Sequence, residues 1–166
     1  MRERVARALF VKSGILGHKT VAGLLRETTA YLSRIEASHL DLSHDLSWSD
    51  RAVRRLFSVR LAPARGLAAN IDLRRWREEL NVGLLAARRI ARLERRSGRF
   101  ALLHFHTQAA AYGSLRRMRR TPSIVSIDCT QQLARREAES SVGQATYLPN
   151  VVHDACMFNR AAAMLP

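Results

Sequence analysis

The sequence lacks the features on which several protein classes depend. It has only two cysteines, Cys129 and Cys156, which share no CxxC spacing and have no histidine pair at metal-ligand spacing nearby. This arrangement predicts no zinc site, and we expect two free thiols in a reducing cytoplasm. No apolar run approaches the roughly 20 residues that cross a bilayer, so we expect no transmembrane helix. The apolar run 8–11 ends at Lys12 and is too short for the core of a secretion signal.

Three motifs of nucleotide binding and catalysis are also missing. The first glycine turn, residues 14–20, has two residues between its glycines and a histidine before its lysine, whereas a P-loop needs four residues and a contiguous Gly-Lys-Thr. The Gly-x-Gly-x-x-Gly of dinucleotide-binding folds and the Gly-x-Ser-x-Gly of a nucleophile elbow do not occur. Two interpretations of the turn stay open: a glycine turn that packs a helix on a sheet, or a loop that approaches a phosphate or a sugar.

Positive charge is abundant, and almost all of it is arginine. Basic residues outnumber acidic ones by 28 to 14, the formal net charge is +14, and only two of the basic residues are lysines. Arginines cluster at 88–99 and at 116–120. On a helix, five arginines of the first cluster share one face by i+3 and i+4 spacing: Arg88, Arg92, Arg95, Arg96 and Arg99. Three interpretations stand: a solvated face, a surface attracted to an anionic membrane, or a nucleic-acid interface. The absence of helix-turn-helix, zinc and RNP-type motifs argues against nucleic acid.

Hydrophobic patterning predicts a single α/β domain. A length of 166 residues with 47% hydrophobic residues fits one globular domain. Short β-prone runs alternate with helical patterns, which predicts a Rossmann-like parallel sheet with right-handed crossovers and with ligands at the carboxyl ends of the strands. We predict strands at 8–13, 38–42, 100–105 and 123–127, helices at 18–33, 48–59, 73–96, 108–118 and 151–163, and a polar segment at 128–146.

The longest predicted helix, 73–96, has a clear apolar side. We expect Asp72 to cap it, as Ser47 caps the helix before it. The residues expected to face the core share helical spacing: Trp76, Leu80, Leu84, Ala87 and Ala91, widened by Leu85 and Ile90.

Several segments resemble the retaining glycosyltransferases of family 4, which have the two-domain GT-B architecture. The strand, glycine turn and helix start at 9–21 resemble the opening of that family. The blocks 104–108 and 119–130 are similar to its third and fourth strands, and 159–166 to a helix that leads into its next strand. The resemblance implies that 1–166 is an acceptor-side, N-terminal domain. It also implies transfer of a sugar from a nucleotide-sugar to the hydroxyl of a sugar or lipid-linked acceptor, with retention and without a metal or other cofactor.

The donor-binding half that the family possesses has no counterpart in the sequence. Its Glu-x7-Glu signature would be needed for the nucleotide-sugar, and no two glutamates have that spacing. We therefore interpret the chain as an acceptor-side half, either truncated or completed by a separate partner that supplies the second domain. The alternative is a basic α/β binding module for nucleic acid or a partner protein. We expect a cytoplasmic protein that can contact the inner face of a membrane.

The first loop and the end of the fourth strand supply five candidate site residues. Gly14 and Gly17 match the family's first-loop glycines near the donor phosphates, and His18 and Lys19 can add positive charge or a hydrogen-bond donor there. The alternative for His18 is a solvated residue at the N-terminus of the helix. Asp128, at the end of the fourth predicted strand, is the candidate catalytic carboxylate that accepts hydrogen bonds from sugar hydroxyls. The alternative for Asp128 is an Asx turn or a helix cap.

Further candidates lie after the third and fourth predicted strands. His106, Thr107 and Gln108 are expected to line the acceptor side, with a structural role as the alternative for His106. Thr130 is a substrate-binding candidate whose alternative role is a helix cap. The positions of His104 and His106 on either side of Phe105 are interpreted as opposite faces of the strand, which argues against a shared metal.

Overall fold

The structure is a computed structural model that describes residues 5–13, 16–31, 34–44, 46–63, 65, 71–127, 129–138 and 140–165, with the backbone alone at 16–22. Its strands are β1 (Ala6–Lys12), β2 (Ile35–Asp41), β3 (Leu102–Phe105), β4 (Ser123–Ser126) and β5 (Ala163–Leu165). Its helices are α1 (Leu16–Thr29), α2 (Trp48–Ser58), α3 (Arg74–Ser97), α4 (Gln108–Ala111), α5 (Leu115–Met118), α6 (Gln131–Arg136), α7 (Ser141–Thr146) and α8 (Leu148–Phe158). A 3-10 turn, Tyr112–Ser114, joins α4 to α5.

The five strands form one parallel sheet in the order β2-β1-β3-β4-β5. The direction in which successive strands are added to the sheet reverses at β1: β2 lies on one side of it, and β3, β4 and β5 follow on the other. It pairs with β2 from Ala6–Ile35 to Lys12–Asp41. The parallel pairing and the helices between the strands confirm the predicted Rossmann-like α/β fold.

The main hydrophobic core lies between the sheet and the helices α3, α4 and α8. Side chains of a strand alternate between the two faces of a sheet, so one set of alternate residues faces these helices. Leu9, Val11, Leu103, Phe105 and Val125 have no exposed surface. Burying each such side chain stabilises the fold by about 1.5–3 kcal/mol. The near-continuous apolar character of β1 and β3 therefore follows from their coverage on both faces.

A close contact between two glycines holds α3 against the turn that follows α4. A Cβ atom added at Gly83 would lie 2.7 Å from the Gly113 nitrogen and 2.8 Å from the Ala109 carbonyl oxygen. One added at Gly113 would collide with the Gly83 carbonyl oxygen. The absence of a side chain at both positions lets the two backbones touch. Tyr112 packs beside this contact, because its Cβ lies 3.0 Å from the position of a Cβ added at Gly83.

The buried side of α3 differs from the predicted stripe. The residues predicted at its centre, including Leu80, Leu84 and Ala87, are only partly buried. The helix is contacted by α2 as well as by α4 and the 112–114 turn. Its buried side is therefore rotated toward positions with small and polar residues, which a search for apolar spacing does not detect. The buried residues of α3 are Asn81, Gly83, Leu85, Ala86 and Ile90, of which Leu85 and Ile90 belong to the predicted apolar side.

The two predicted N-caps have different outcomes. Ser47 caps α2 as predicted: its Oγ accepts from the Asp50 N–H at 3.1 Å, and the Asp50 carboxylate accepts from the Ser47 N–H at 3.3 Å. The N-cap position of α3 is Leu73, in a left-handed conformation with φ 54°, so Asp72 lies one residue before it. Asp72 Oδ1 still accepts from the N–H of Arg74, the first residue of α3, at 3.2 Å. Its Oδ2 accepts from the Leu61 N–H at 2.6 Å and so holds the preceding loop against the helix.

The remaining differences are mostly at element boundaries. The predicted helix 108–118 is broken by the 3-10 turn, and the polar segment 128–146 contains α6 and α7. The last helix was predicted too long: α8 ends at Phe158, and β5 follows because residues 163–165 pair with β4. Pairing with a strand distant in sequence overrides the helical pattern there.

Two predicted general properties are found in the described part of the chain. None of its helices has the length and apolar character needed to cross a bilayer. Both Cys129 and Cys156 are free thiols, the first exposed and the second partly buried.

Candidate functional site at the carboxyl edge of the sheet

The strand order reverses between β1 and β3, and the ligand crevice typical of this fold class lies at that reversal. Open parallel sheets bind ligands at the carboxyl edge where the order reverses, because the loops of neighbouring strands diverge there. The two strands stay paired up to this edge, where the His106 N–H donates to the Val11 carbonyl oxygen at 2.9 Å. We define the carboxyl-edge site as residues 13–19, 106–108 and 128–131, which follow β1, β3 and β4.

The structure describes only part of the predicted site. Gly14 and Asp128 lie outside the described residues. Gly17, His18 and Lys19 lie in the first turn of α1, where the backbone is described. The helix begins two residues before the predicted start at His18, so Gly17 is helical rather than part of a turn. The contacts of these five residues with a donor or an acceptor remain predictions.

An ion pair fixes the carboxyl ends of β1 and β2 beside this site. Lys12 Nζ lies 3.0 Å from Asp41 Oδ2, and Asp41 Oδ1 accepts from the Ser43 N–H at 2.8 Å and from its hydroxyl at 2.5 Å. Burial raises the pKa of Asp41, but the bonds from Ser43 and Lys12 together outweigh it and lower that pKa to about 2. Asp41 is therefore ionised at neutral pH and anchors the two strand ends.

The two histidines at the end of β3 lie on the same face of the sheet, so the prediction of opposite faces was wrong. Residues two apart on a strand point the same way, and Phe105 between them points into the main core. The rings of His104 and His106 stack with centroids 4.6 Å apart at 19°. Phe10 on β1 contacts both rings, at 5.5 and 6.4 Å. The ring of His106 is buried in this layer, which favours the structural role that was its alternative.

This ring layer favours neutral imidazoles. Burial lowers the pKa of His104, whose Nε2 lies 2.9 Å from the Ser126 hydroxyl. Burial, with smaller effects from Arg26 and Lys12, lowers the pKa of His39, whose ring stacks on Phe10 at 5.1 Å. Among the described residues, no three His, Cys, Asp or Glu side chains are grouped to hold a metal ion.

Gln108 connects the turn after β3 to the loop after β4. Its Nε2 donates to the Cys129 carbonyl oxygen at 2.6 Å. The side chains of Thr107 and Gln108 are both buried, and Thr107 has the extended backbone that precedes α4. Gln108 therefore positions the neighbouring loop, while Cys129 on that loop is exposed at the edge.

Asp154 of α8 holds the same loop from the opposite side. Its Oδ2 accepts from the Gln131 N–H at 2.9 Å, and its Oδ1 accepts from the Tyr112 hydroxyl at 2.8 Å. Between these bonds, Thr130 Oγ1 accepts from the Leu133 N–H at 3.2 Å, so Thr130 is the N-cap of α6 as its alternative role predicted. Together these contacts keep the start of α6 in one position relative to β3 and β4.

Glu79 of α3 completes a buried polar cluster behind the loop. The Gln131 side-chain amide donates to both Glu79 oxygens, at 3.2 and 3.3 Å. The Asn150 amide donates to one of them at 2.5 Å. Asn150 is fully buried and Asp154 nearly so. We call Glu79, Tyr112, Gln131, Asn150 and Asp154 the buried polar cluster.

The carboxyl groups of this cluster are electrostatically perturbed. Burial raises the pKa of Glu79, and the Asp154 carboxylate raises it further, against the hydrogen bonds of Asn150 and Gln131. Burial also raises the pKa of Asp154, and the bonds from Gln131 and Tyr112 oppose this. Burial and both carboxylates raise the pKa of Tyr112, so its hydroxyl stays protonated and donates. Perturbed groups of this kind concentrate at functional sites, and here they lie directly behind the predicted ligand edge.

Sequence reasoning missed the buried polar cluster because its members are far apart in the chain. Glu79 and Asn150 are separated by 71 positions. One local signal was present: Asn150 and Asp154 are four residues apart on one helix and therefore share a face. Two polar residues on the same face as the buried Met157 indicate an interior polar contact rather than a solvated side.

Comparison with known proteins finds no relative of this chain: no protein-family model matches it, and neither the curated proteins nor the solved structures contain a match. The fold and the arrangement of residues at the carboxyl edge therefore carry the functional argument.

Proposed function

We propose that this chain is the acceptor-side domain of a GT-B-type glycosyltransferase, with the acceptor bound at the carboxyl-edge site. The observation that carries the proposal is the convergence of the resembling segments. The blocks 9–21 and 104–108 contain the carboxyl ends of β1 and β3, and the block 119–130 contains all of β4. These strands are neighbours in the sheet, so their carboxyl ends share the edge at which the strand order reverses between β1 and β3. Sequence resemblance and the general location of ligands in this fold class thus indicate the same edge.

The chemistry available at this edge suits a hydroxyl-bearing ligand. Asp128 follows β4, between strand residues and the positioned loop, and a carboxylate there can accept hydrogen bonds from sugar hydroxyls. Gln108 and Asp154 fix the loop immediately after it through Cys129 and Gln131. A rigid support lowers the entropy cost of binding a polar ligand, because the loop is already ordered before the acceptor arrives.

In this proposal, transfer needs a second domain for the nucleotide-sugar. A GT-B-type enzyme transfers the sugar in the cleft between its two Rossmann-like domains, so both domains are needed for catalysis. We therefore expect this chain by itself to bind an acceptor but not to transfer a sugar to it. The donor phosphates would approach the first turn of α1, where a helix N-terminus and Lys19 favour negative charge.

The test is saccharide binding followed on the labelled full chain by two-dimensional NMR. Mono- and disaccharide acceptors are titrated, and we expect shifts at residues 106–108 and 129–131 but not on α2. Asp128→Asn should weaken this binding by about tenfold, the effect of one charge-assisted hydrogen bond. Glu137→Gln removes the same charge from an exposed position at the end of α6 and should leave binding unchanged.

Two results would contradict the proposal. One is the absence of any saccharide-dependent shift at the carboxyl edge. The other is sequence-preferring binding of duplex DNA with a steep salt dependence, which would favour the alternative of a basic nucleic-acid-binding module.

A further inference from the structure

A basic cavity lies at the opposite, amino edge of the sheet. Its volume is about 410 Å³, within the range of small-molecule sites. Phe100, which precedes β3, and Thr121, which precedes β4, place it at the end of the strands remote from the carboxyl-edge site. The C-terminal turn of α3 and the α5 segment form its sides. The cavity is therefore separate from the carboxyl-edge site.

Four arginines and a single carboxylate line this cavity. Arg117 is paired with Glu94, whose Oε2 lies 3.0 Å from its Nε, and both side chains are largely buried. The other three, Arg99, Arg116 and Arg120, are exposed and pair with no carboxylate among the described residues. Three positive charges therefore converge on one concavity without a counter-charge from the described chain.

Helix-dipole compensation accounts for only part of this convergence. Basic residues near a helix C-terminus are stabilised by the macrodipole, and Arg95 and Arg96 occupy the last turn of α3 as Arg116 does that of α5. Arg99 and Arg120 lie outside both helices. Bringing three further guanidinium groups around one cavity instead adds mutual repulsion, which an anion would relieve. Guanidinium groups match phosphate oxygens with paired hydrogen bonds, so phosphate is the anion that this geometry favours.

We propose that the cavity lined by Arg99, Arg116 and Arg120 binds the phosphoryl group of an organic phosphate. The cavity is larger than a bare phosphate ion and therefore has room for an attached organic group, with the largely buried Phe100 in its lining. The ion pair between Arg117 and Glu94 holds α5 against the C-terminal turn of α3. The phosphoryl group belongs either to a soluble metabolite or to a lipid headgroup, and both present the same chemistry.

Calorimetric titration of the full chain with pyrophosphate tests the proposal, alongside co-sedimentation with phosphatidylcholine vesicles that contain or lack phosphatidic acid. Arg116→Gln/Arg120→Gln should lower the affinity for the phosphoryl ligand by at least about tenfold. Arg51→Gln/Arg54→Gln is the matched control, because it removes the same charge from exposed positions on α2 and should change the affinity less than about twofold. Thermal unfolding of both variants checks that the fold is intact.

The outcomes separate the sources and the alternatives. Arginine-dependent binding of pyrophosphate supports a soluble phosphate, and arginine-dependent binding of phosphatidic acid vesicles alone supports a lipid headgroup. Absence of binding to both probes, equal weakening in the two double variants, or binding of duplex DNA alone overturns the proposal. Asp128→Asn should leave phosphoryl binding unchanged, so failure of the glycosyltransferase proposal and failure of this one are distinguishable.

Discussion

The contact between Gly83 and Gly113 yields the sharpest stability prediction. Gly113→Ala would direct a methyl group at the Gly83 carbonyl oxygen and to within 2.9 Å of the Leu84 nitrogen. Both obstacles are backbone atoms, so relief requires α3 and the 112–114 turn to move apart. Overpacking of a well-packed core costs about 1–3 kcal/mol and occasionally more, and backbone collision places this case at the upper end. We expect the free energy of unfolding to fall by about 3 kcal/mol.

The measurement is equilibrium unfolding in urea followed by circular dichroism, with the slope checked for two-state behaviour. Gly83→Ala, which meets the Gly113 nitrogen at 2.7 Å, should be similarly destabilising. Gly23→Ala is the matched control: Gly23 lies in α1 and nothing lies within 4 Å of its added Cβ. It should stabilise by about 0.5–1 kcal/mol, the helix-propensity gain of alanine. If Gly113→Ala unfolds at the same urea concentration as the unchanged chain, the close approach is refuted.

Three further predictions concern titratable groups. Asp154→Asn should destabilise the chain by about 1–3 kcal/mol, because the amide can no longer accept from both the Gln131 N–H and the Tyr112 hydroxyl; urea unfolding measures this. Asp41 has a folded pKa of about 2 against 3.8 for its ordinary value, so its stabilisation is full above about pH 4–5 and is lost as the pH falls toward 2. After allowance for solvent screening it amounts to about 1–2 kcal/mol, measured as the pH-dependent difference from Asp41→Asn. His104 has a folded pKa below 6.5, so the folded state resists protonation and stability is lost as the pH falls below that value; melting temperatures between pH 7 and 5 measure this, and His104→Phe should flatten the profile.

Each of these predictions has a result that would refute it. An Asp154→Asn chain as stable as the unchanged one would show that the loop after β4 does not depend on the carboxylate. A constant difference between the unchanged chain and Asp41→Asn from pH 6 to 2 would show that the pKa of Asp41 is not lowered. A His104→Phe chain that keeps the full pH dependence would assign the effect to other groups, His39 first, because its pKa is also lowered by burial.

Local chemistry made several structural features predictable. The apolar strands β1, β3 and β4 and the amphipathic α2 and α3 follow from hydrophobic patterning, and the α2 cap follows from Ser47 and Asp50. Thr130 was recognisable as a helix cap for the same reason, since a hydroxyl before a helix satisfies an unpaired N–H. These features depend on interactions within a few residues, which a sequence pattern contains.

Other features were not predictable because they depend on partners distant in the chain. The three-residue β5 has exposed side chains and exists through its pairing with β4. Asp72 accepts from the N–H of Arg74 at the start of α3, but its shortest hydrogen bond is from the Leu61 N–H, across a loop. The buried side of α3 depends on which helices pack around it, and Gly83 and Asn81, which are buried there, contribute no apolar signal.

The sequence by itself therefore determined the fold class and the chain positions of the candidate site, because strand and helix periodicity and turn chemistry are local properties. Tertiary structure alone decided which polar groups meet. It brings Glu79 of α3, Gln131 of α6 and Asn150 of α8 together behind the loop after β4, and it gathers Arg99, Arg116 and Arg120 at the other edge. The physical reason is that hydrogen bonds and charge interactions act over a few ångströms, and only the folded chain makes residues separated by tens of positions neighbours at that distance.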